Sequence, residues 1–257
     1  MSASRAADAW LARPRARPLG RLRLVCFPYA GGSASAYRSW PDELAANVDV
    51  CAVQLPGRDN RLGEPPFTRL PALVRALADA LAPHLRVPFA FFGHSMGALV
   101  AFELTCELRR RDRPHPLQLF VSACRAPQLP DPDPPIHLLP EPELLEELRR
   151  LDGTPVQVFE NPELRRLVLP TLRADFAVCE TYVYQPDEPL AIPIAAFGGA
   201  ADGEVSREQL EGWREQTHAS FSLRIFPGNH FFFLGGARSS FLATLSHDLA
   251  SLLDGLG

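Results

Sequence analysis

Short apolar runs alternate with helix-like segments along most of the chain. Apolar runs bounded by turn residues are typical of buried parallel strands, and apolar residues at helical spacing are typical of the helices that cover them. The predicted strands are 22–27, 48–54, 89–92, 117–123, 192–197 and 221–226. The predicted helices are 37–47, a stretch from Pro71, 98–110 and about 239–253. This alternation predicts an α/β fold with a mostly parallel central sheet flanked by helices.

The stretch 127–185 interrupts this succession. It begins with a proline-rich part, 127–142, and continues with two helical patterns at 143–151 and 163–182. Two consecutive helices are unusual between adjacent strands, so we predict a helical insertion that forms a lid over one end of the sheet. Two ordinary crossover helices are the alternative. The expected organisation is an N-terminal extension, 1–20, for which disorder is expected, a core of 21–126 and 186–257, and a lid of 127–185.

Composition narrows the class of protein. The 257 residues are 46% hydrophobic and carry a net charge of −4, which gives no basic face for a nucleic-acid partner. Because we find neither a membrane-length apolar run nor a secretory signal, we expect a soluble, cytoplasmic protein without a membrane partner, and a monomer. The five cysteines form no C-x-x-C pair, so neither a disulfide framework nor a metal site is expected.

The clearest chemical motif is Gly93-His94-Ser95-Met96-Gly97. A G-x-S-x-G sequence also occurs by chance, but here an apolar strand ends directly before it and an amphipathic helix follows it. That context is typical of a nucleophile elbow, which presents the serine hydroxyl at the edge of a sheet. So tight a turn requires glycine at 93 and 97. A helix N-cap is the alternative role of Ser95.

A serine nucleophile needs a base and a group that orients the base. Among the seven histidines, His230 is the candidate because it follows a predicted strand and a turn, at the edge where such sheets bind ligands. Asp202 lies in the loop after strand 192–197, with Glu204 as its nearest rival and Asp175 as a distant one. The order Ser, Asp, His along the chain is that of α/β hydrolases.

Two backbone N–H groups are expected to bind the oxyanion that forms during acyl transfer. Met96 follows the nucleophile at the start of a helix, where N–H groups are free and the dipole is positive. The second donor should come from the loop after the first strand, PYAGGSAS, where Ala30 is the candidate.

Five segments together resemble the type II thioesterases, which are stand-alone editing enzymes of polyketide synthases and nonribosomal peptide synthetases. The segments are FPYAGGSASAY (27–37), QLPGRDNRLGEPP (54–66), FGHSMGALVAFE (92–103), NPELRRLVLPTLRADF (161–176) and FPGNHFFFL (226–234). The resemblance covers about 22–253. The extension before about residue 20 is not part of the family pattern.

The resemblance implies an α/β-hydrolase fold with a mobile helical lid. It implies hydrolysis of aberrant or stalled acyl groups from the phosphopantetheine arm of acyl or peptidyl carrier proteins. The implied triad is Ser95, Asp202 and His230, which works through an acyl-enzyme, with Met96 and Ala30 as oxyanion donors. No metal or redox cofactor is implied, since phosphopantetheine arrives with the substrate.

Further expectations concern the acyl group and the carrier. The apolar faces of the lid helices are expected to line a narrow channel that favours short acyl chains. The channel residues are Leu144, Leu148, Leu167, Leu172 and Phe176. Carrier proteins are generally acidic, so Arg58 or Arg61 is a candidate to bind them if exposed near the entrance; a solvated surface arginine is the alternative.

Three other functions stay open. A carboxylesterase or lipase would use the same triad on oxygen esters, although its oxyanion loop would carry an HGGG-type motif rather than PYAGG. A thioesterase that releases finished products is the second alternative, but such a domain is usually fused to its synthase. A catalytically inactive fold that only binds carrier proteins is the non-enzyme alternative, and the intact set of Ser95, Asp202 and His230 argues against it.

Overall fold

The predicted parallel sheet is present in the computed structural model, which describes residues 9–17 and 19–255. Within these residues the strands are β1 (Leu11–Ala12), β2 (Leu22–Phe27), β3 (Val48–Val53), β4 (Phe89–His94), β5 (Leu119–Ser122), β6 (Ile194–Gly199) and β7 (Phe221–Phe226). They form one sheet in the order β1-β3-β2-β4-β5-β6-β7. Every pair is parallel except β1 with β3, so the expectation of a mostly parallel α/β sheet is confirmed.

The helices follow the predicted periodicity with a few differences. They are α1 (Trp40–Glu43), α2 (Leu70–Leu81), α3 (Met96–Arg110), α4 (Glu141–Arg150), α5 (Val156–Glu160), α6 (Pro162–Glu180), α7 (Arg207–Glu211) and α8 (Arg238–Asp254). The helix expected at 37–47 is wrong in extent, because Leu44 is extended and leads the chain into β3. None of the helices in the described residues combines the length and apolarity needed to cross a bilayer.

Both faces of the sheet are buried under helices. Successive side chains of a strand point to opposite faces, so Phe91 packs in the cluster that contains α2 and α3, whereas Phe92 packs in the cluster that contains Trp40 and α8. Strands covered on both faces are apolar at nearly every position. This burial is the reason that the apolar runs could be recognised from the sequence.

Part of the N-terminal extension is ordered against the edge of the sheet. Leu11 pairs with Val53 in an antiparallel bridge, and Arg13 donates to the buried carboxylate of Asp49 over 2.6 Å. The expectation of disorder is therefore wrong for residues 9–17, because β3 offers an unpaired edge and Asp49 a buried charge. Residues 1–8 lie outside the described residues.

The insertion between β5 and β6 contains three helices, α4, α5 and α6, rather than the two expected. The five residues of α5 are too few to show a periodicity. Helix α6 begins as predicted, with the Asn161 side chain accepting from the N–H groups of Glu163 and Leu164. We call residues 127–185 the helical insertion; that it moves as a lid stays a prediction.

Candidate active site

Ser95 lies on a sharp turn between β4 and α3. Its backbone has φ 53° and ψ −122°, a conformation that residues other than glycine rarely adopt. The N–H of Ser95 donates to the carbonyl of Ser122 at the end of β5, over 2.8 Å. Strained backbone of this kind is concentrated at functional sites, where the surrounding structure holds it in place. The geometry is that of a nucleophile elbow.

The two glycines of the motif have no room for a side chain. A Cβ at Gly93 would lie 2.2 Å from the carbonyl oxygen of Gly97. A Cβ at Gly97 would lie 2.1 Å from the carbonyl oxygen of Phe27, in the last residue of β2. The expected requirement for glycine at both positions is confirmed, and Gly97 lets α3 begin directly against the loop that follows β2.

His230 and Asp202 meet at the carboxyl ends of β7 and β6. Nδ1 of His230 lies 3.0 Å from Oδ2 and 3.2 Å from Oδ1 of Asp202. The Asp202 side chain is 1% exposed. Its Oδ1 also accepts from the N–H groups of Glu204 and Val205, so the loop holds the carboxylate in place. A fixed, buried carboxylate on Nδ1 orients an imidazole and stabilises its protonated form.

Ser95 and His230 line the same cavity, which has a volume of about 410 Å³. The cavity lies where the carboxyl ends of the parallel strands meet the helical insertion, the usual ligand position in such sheets. Its other walls come from the loop after β5 and from the insertion, and they include Leu129, Ile136, Leu151, Phe176 and Tyr182. Ser95 and His230 therefore face one cavity.

Both expected oxyanion donors line this cavity. Among the described residues, no acceptor is found for the N–H of Met96 or of Ala30. The N–H groups that follow Ala30 are engaged, since Gly31 donates to Asp175 and Gly32 donates to the carbonyl of Tyr29. Two backbone donors without an acceptor, on residues that line the same cavity as Ser95, match the requirement for an oxyanion hole.

Comparison with known proteins identifies the family. Residues 22–249 match the Thioesterase domain family. The chain belongs to this family of thioesterases. This thioesterase is 46% identical over 225 residues to the gramicidin S biosynthesis protein GrsT of Aneurinibacillus migulanus, a match that covers 88% of each chain. The family match shows an enzyme that hydrolyses thioesters, as expected from the sequence.

Solved structures of thioesterases share its fold. RedJ, a thioesterase from the prodiginine biosynthetic pathway in Streptomyces coelicolor, is 45% identical with a TM-score of 0.85, over 92% of this chain and 93% of RedJ. YbtT, a type II thioesterase from the yersiniabactin NRPS/PKS pathway, is 34% identical with a TM-score of 0.82, over 93% and 98% of the two chains. These similarities confirm the α/β-hydrolase fold and the resemblance to type II thioesterases.

The acyl channel expected from the insertion helices needs correction. Leu144, Leu148 and Leu172 pack against one another in a hydrophobic core within the insertion, and Leu167 is 51% exposed. Of the five expected channel residues, Phe176 is the one that lines the cavity of this thioesterase. Leu144, Leu148 and Leu172 hold the insertion together, so they are not free to line a channel.

The two arginines considered for carrier binding are buried. Arg61 donates to Glu64 and lies with its guanidinium 4.1 Å from the ring of Trp10. Arg58 forms a bidentate ion pair with Asp175. The expectation that either arginine is exposed is wrong, because each has a partner from a different part of the fold.

The rivals of Asp202 are engaged elsewhere in the thioesterase. The Glu204 carboxylate pairs with Arg150 at the end of α4, over 2.6 Å, and Asp175 pairs with Arg58. The Arg58–Asp175 pair was not predicted from the sequence. The available indication was that Arg58 and Asp175 each lie in a segment that resembles the type II thioesterases, 54–66 and 161–176. Among the described residues, no group of His, Cys, Asp and Glu side chains is arranged to hold a metal ion.

We expect Gly97→Ala to destabilise the thioesterase by about 3 kcal/mol, because the added methyl group meets the rigid backbone of β2. Gly63→Ala is the matched control, since a Cβ there has no atom within 4 Å. We expect the control to change stability by less than about 0.5 kcal/mol. Urea unfolding of the three proteins measures the difference, and equal midpoints for both variants would contradict the packing argument.

His94, the neighbour of the nucleophile, is fully buried, and its Nδ1 shares a hydrogen bond of 2.9 Å with the Ser122 hydroxyl. Burial lowers the pKa of His94 well below its usual 6.5, and the nearby His230 lowers it further. Just below pH 6.5 the unfolded chain therefore binds a proton at His94 that the folded protein does not bind. Stability is lost as the pH falls from 6.5 toward the lowered pKa.

We expect the unfolding free energy of the wild type to fall more steeply below pH 6.5 than that of His94→Gln. The extra slope should approach about 1.4 kcal/mol per pH unit as the pH falls below 6.5, the full contribution of one proton. Urea unfolding of both proteins at pH 7.5, 6.5 and 5.5 measures it, and any constant loss of stability in the variant cancels in the slope. Parallel pH profiles would show that His94 is protonated in the folded protein.

Proposed function

We propose that this thioesterase removes aberrant or stalled acyl groups from the phosphopantetheine arm of acyl or peptidyl carrier proteins in polyketide or nonribosomal peptide biosynthesis. The observation that carries the proposal is the cavity that Ser95, His230 and two free N–H groups share. Relatives whose names refer to the gramicidin S, prodiginine and yersiniabactin pathways support a role in biosynthesis of this kind. Ser95 is the proposed nucleophile, His230 its base and Asp202 the group that orients the base.

Acylation is the first half of the proposed reaction. The Nε2 of His230 takes the proton from Ser95 Oγ while Oγ attacks the thioester carbonyl carbon. The N–H groups of Met96 and Ala30 bind the oxyanion of the tetrahedral intermediate. The C–S bond then breaks, the pantetheine thiol leaves with the proton from His230, and the acyl group stays on Ser95.

Deacylation uses the same groups. Water gives a proton to His230 as it attacks the acyl-enzyme carbonyl, and the oxyanion forms again at the same two N–H groups. The ester bond breaks, Ser95 regains its proton from His230, and the carboxylic acid leaves. Every proton in this cycle passes through His230, so the proposal needs no metal or redox cofactor.

The size of the cavity supports the preference for short acyl chains. Its volume of about 410 Å³ is at the lower end of small-molecule sites, which span about 300–1,000 Å³. The cavity must also admit the end of the pantetheine arm, so a small acyl group is accommodated without movement of the insertion. Phe176 on α6 is one of the residues that line this cavity.

A substrate panel tests the proposed function. The acetyl group is presented on a carrier protein, as the N-acetylcysteamine thioester and as the corresponding oxygen ester, and a decanoyl thioester is added for chain length. We expect kcat/KM to be highest for the acetylated carrier and at least about tenfold lower for the oxygen ester. A preference for the oxygen ester would favour the carboxylesterase alternative, and equal values for acetyl and decanoyl would contradict the size argument.

A further inference from the structure

A buried ion pair joins the helical insertion to the loops beside the cavity. The Asp175 carboxylate on α6 accepts from both terminal nitrogens of Arg58, each over 2.7 Å. The two side chains are 4% and 7% exposed. Neither residue takes part in the proton transfers proposed above. Desolvating two charges is costly, and bidentate geometry with further hydrogen bonds offsets that cost.

The same pair also holds the turn that carries Ala30. Asp175 Oδ2 accepts the N–H of Gly31 over 2.7 Å, and Arg58 donates to the carbonyl of Gly32 over 2.8 Å. Leu172, one helical turn before Asp175, fills the space where a Cβ of Gly31 would be. The turn is therefore clamped at two successive residues by side chains from outside it.

This clamp sets the direction of the free Ala30 N–H. The carbonyl of Tyr29 and the N–H of Ala30 belong to one planar peptide unit and point in opposite directions. Gly32 donates to that carbonyl over 2.8 Å, which fixes the plane only while the turn keeps its shape. Gly31 has φ +74°, a conformation that glycine adopts readily and that external contacts must hold.

We infer that Asp175 is a positioning residue for the oxyanion hole: together with Arg58 it holds the turn 29–32 so that the Ala30 N–H is directed into the cavity. The inference rests on the proposed function, because it assigns a role within the Ser95 reaction. It also links the insertion to the reaction, since the carboxylate that holds the turn belongs to α6.

The insertion makes a further buried contact, from the Thr171 hydroxyl to the carbonyl of Gly57 over 2.6 Å, whereas two other polar contacts of the insertion are more exposed. Arg150 reaches Glu204 near Asp202 with a guanidinium that is 51% exposed, and Asn229 donates to exposed Asp152 over 3.2 Å. Exposed pairs of this kind contribute little to stability or geometry. Asp152→Asn is thus a matched control for Asp175→Asn: it makes the same chemical change in the same insertion, away from the turn.

The test compares three variants with the wild type on acetyl-N-acetylcysteamine. In Asp175→Asn we expect kcat to fall by about 10- to 100-fold with little change in KM, since a misdirected donor weakens binding of the transition state. In Asp152→Asn we expect kcat within about twofold of wild type. In Arg58→Met/Asp175→Leu, which replaces the pair by apolar side chains, we expect the Tm to recover relative to Asp175→Asn while kcat stays low.

The double variant separates positioning from stability. If its kcat recovers together with its Tm, the pair has a structural role alone and the inference is overturned. If the double variant does not fold, the test is the inhibition of folded Asp175→Asn by methyl trifluoromethyl ketone, whose adduct with the serine carries an oxyanion. We expect inhibition at least about tenfold weaker than in the wild type, and an unchanged inhibition constant overturns the inference.

A further control separates this inference from the proposed function. Turnover that persists in Ser95→Ala shows that the proposed function is wrong. Loss of turnover in Ser95→Ala, combined with wild-type kcat in Asp175→Asn, shows that the inference alone is wrong.

Discussion

Ser95→Ala is expected to lower kcat for an acyl thioester by about five to six orders of magnitude. The hydroxyl is the proposed nucleophile, and no other group at the elbow replaces it. Its turn is held by the hydrogen bond from the Ser95 N–H to Ser122 and by the glycines on either side. Alanine keeps that N–H and has a Cβ, as serine does, so the turn and the cavity should persist.

The variant therefore separates catalysis from folding and from binding. We expect its Tm to stay within a few degrees of wild type and its affinity for an acylated carrier protein to be retained. Residual turnover above about 1% of wild type would contradict the nucleophile assignment, because an uncatalysed pathway is far slower. Full turnover without Ser95 would remove the basis of the proposed mechanism.

The second large effect is expected for Asp202→Asn, with kcat lower by about four orders of magnitude. The Asp202 carboxylate accepts from His230 Nδ1 over 3.0 Å, which leaves Nε2 free to take the serine proton. An amide at this position favours the wrong tautomer and does not stabilise the imidazolium. KM for the thioester should change little, since Asp202 does not line the cavity.

Glu204→Gln is the matched control, because Glu204 lies two residues away and was the nearest rival of Asp202. Its carboxylate is bound to Arg150 rather than to His230. Glu204 lines the cavity, but its carboxylate is held by Arg150, whose side chain is 51% exposed, so we expect kcat of Glu204→Gln to stay within about threefold of wild type. A larger loss in Glu204→Gln than in Asp202→Asn would reverse the assignment of the third triad member.

Local patterns were sufficient for the fold and for the candidate triad. The strands could be predicted because helices cover both faces of the sheet and most strand residues are therefore apolar. Ser95 was recognisable because the elbow needs small residues at fixed positions around it. His230 and Asp202 were found because both follow strands of one parallel sheet, and the carboxyl ends of such strands meet at one edge.

Contacts between distant segments were beyond the reach of these patterns. Arg58 and Asp175 are separated by 117 positions in the chain, and nothing in their local sequence shows that each is buried. The apolar face of α4 looked available for an acyl channel, yet Leu144 and Leu148 pack against α6. A short strand such as β1 forms only because the edge of β3 is there to pair with it.

The sequence by itself determined the α/β class and the serine at the elbow, because these depend on periodicity and on the steric needs of one turn, and it supplied the candidates for the proposed triad. Only the tertiary structure decided which charges are buried together, which apolar faces stay free to line the cavity, and which group holds the turn of Ala30. Burial and partnership are properties of the packed chain, since they depend on which distant segments come into contact.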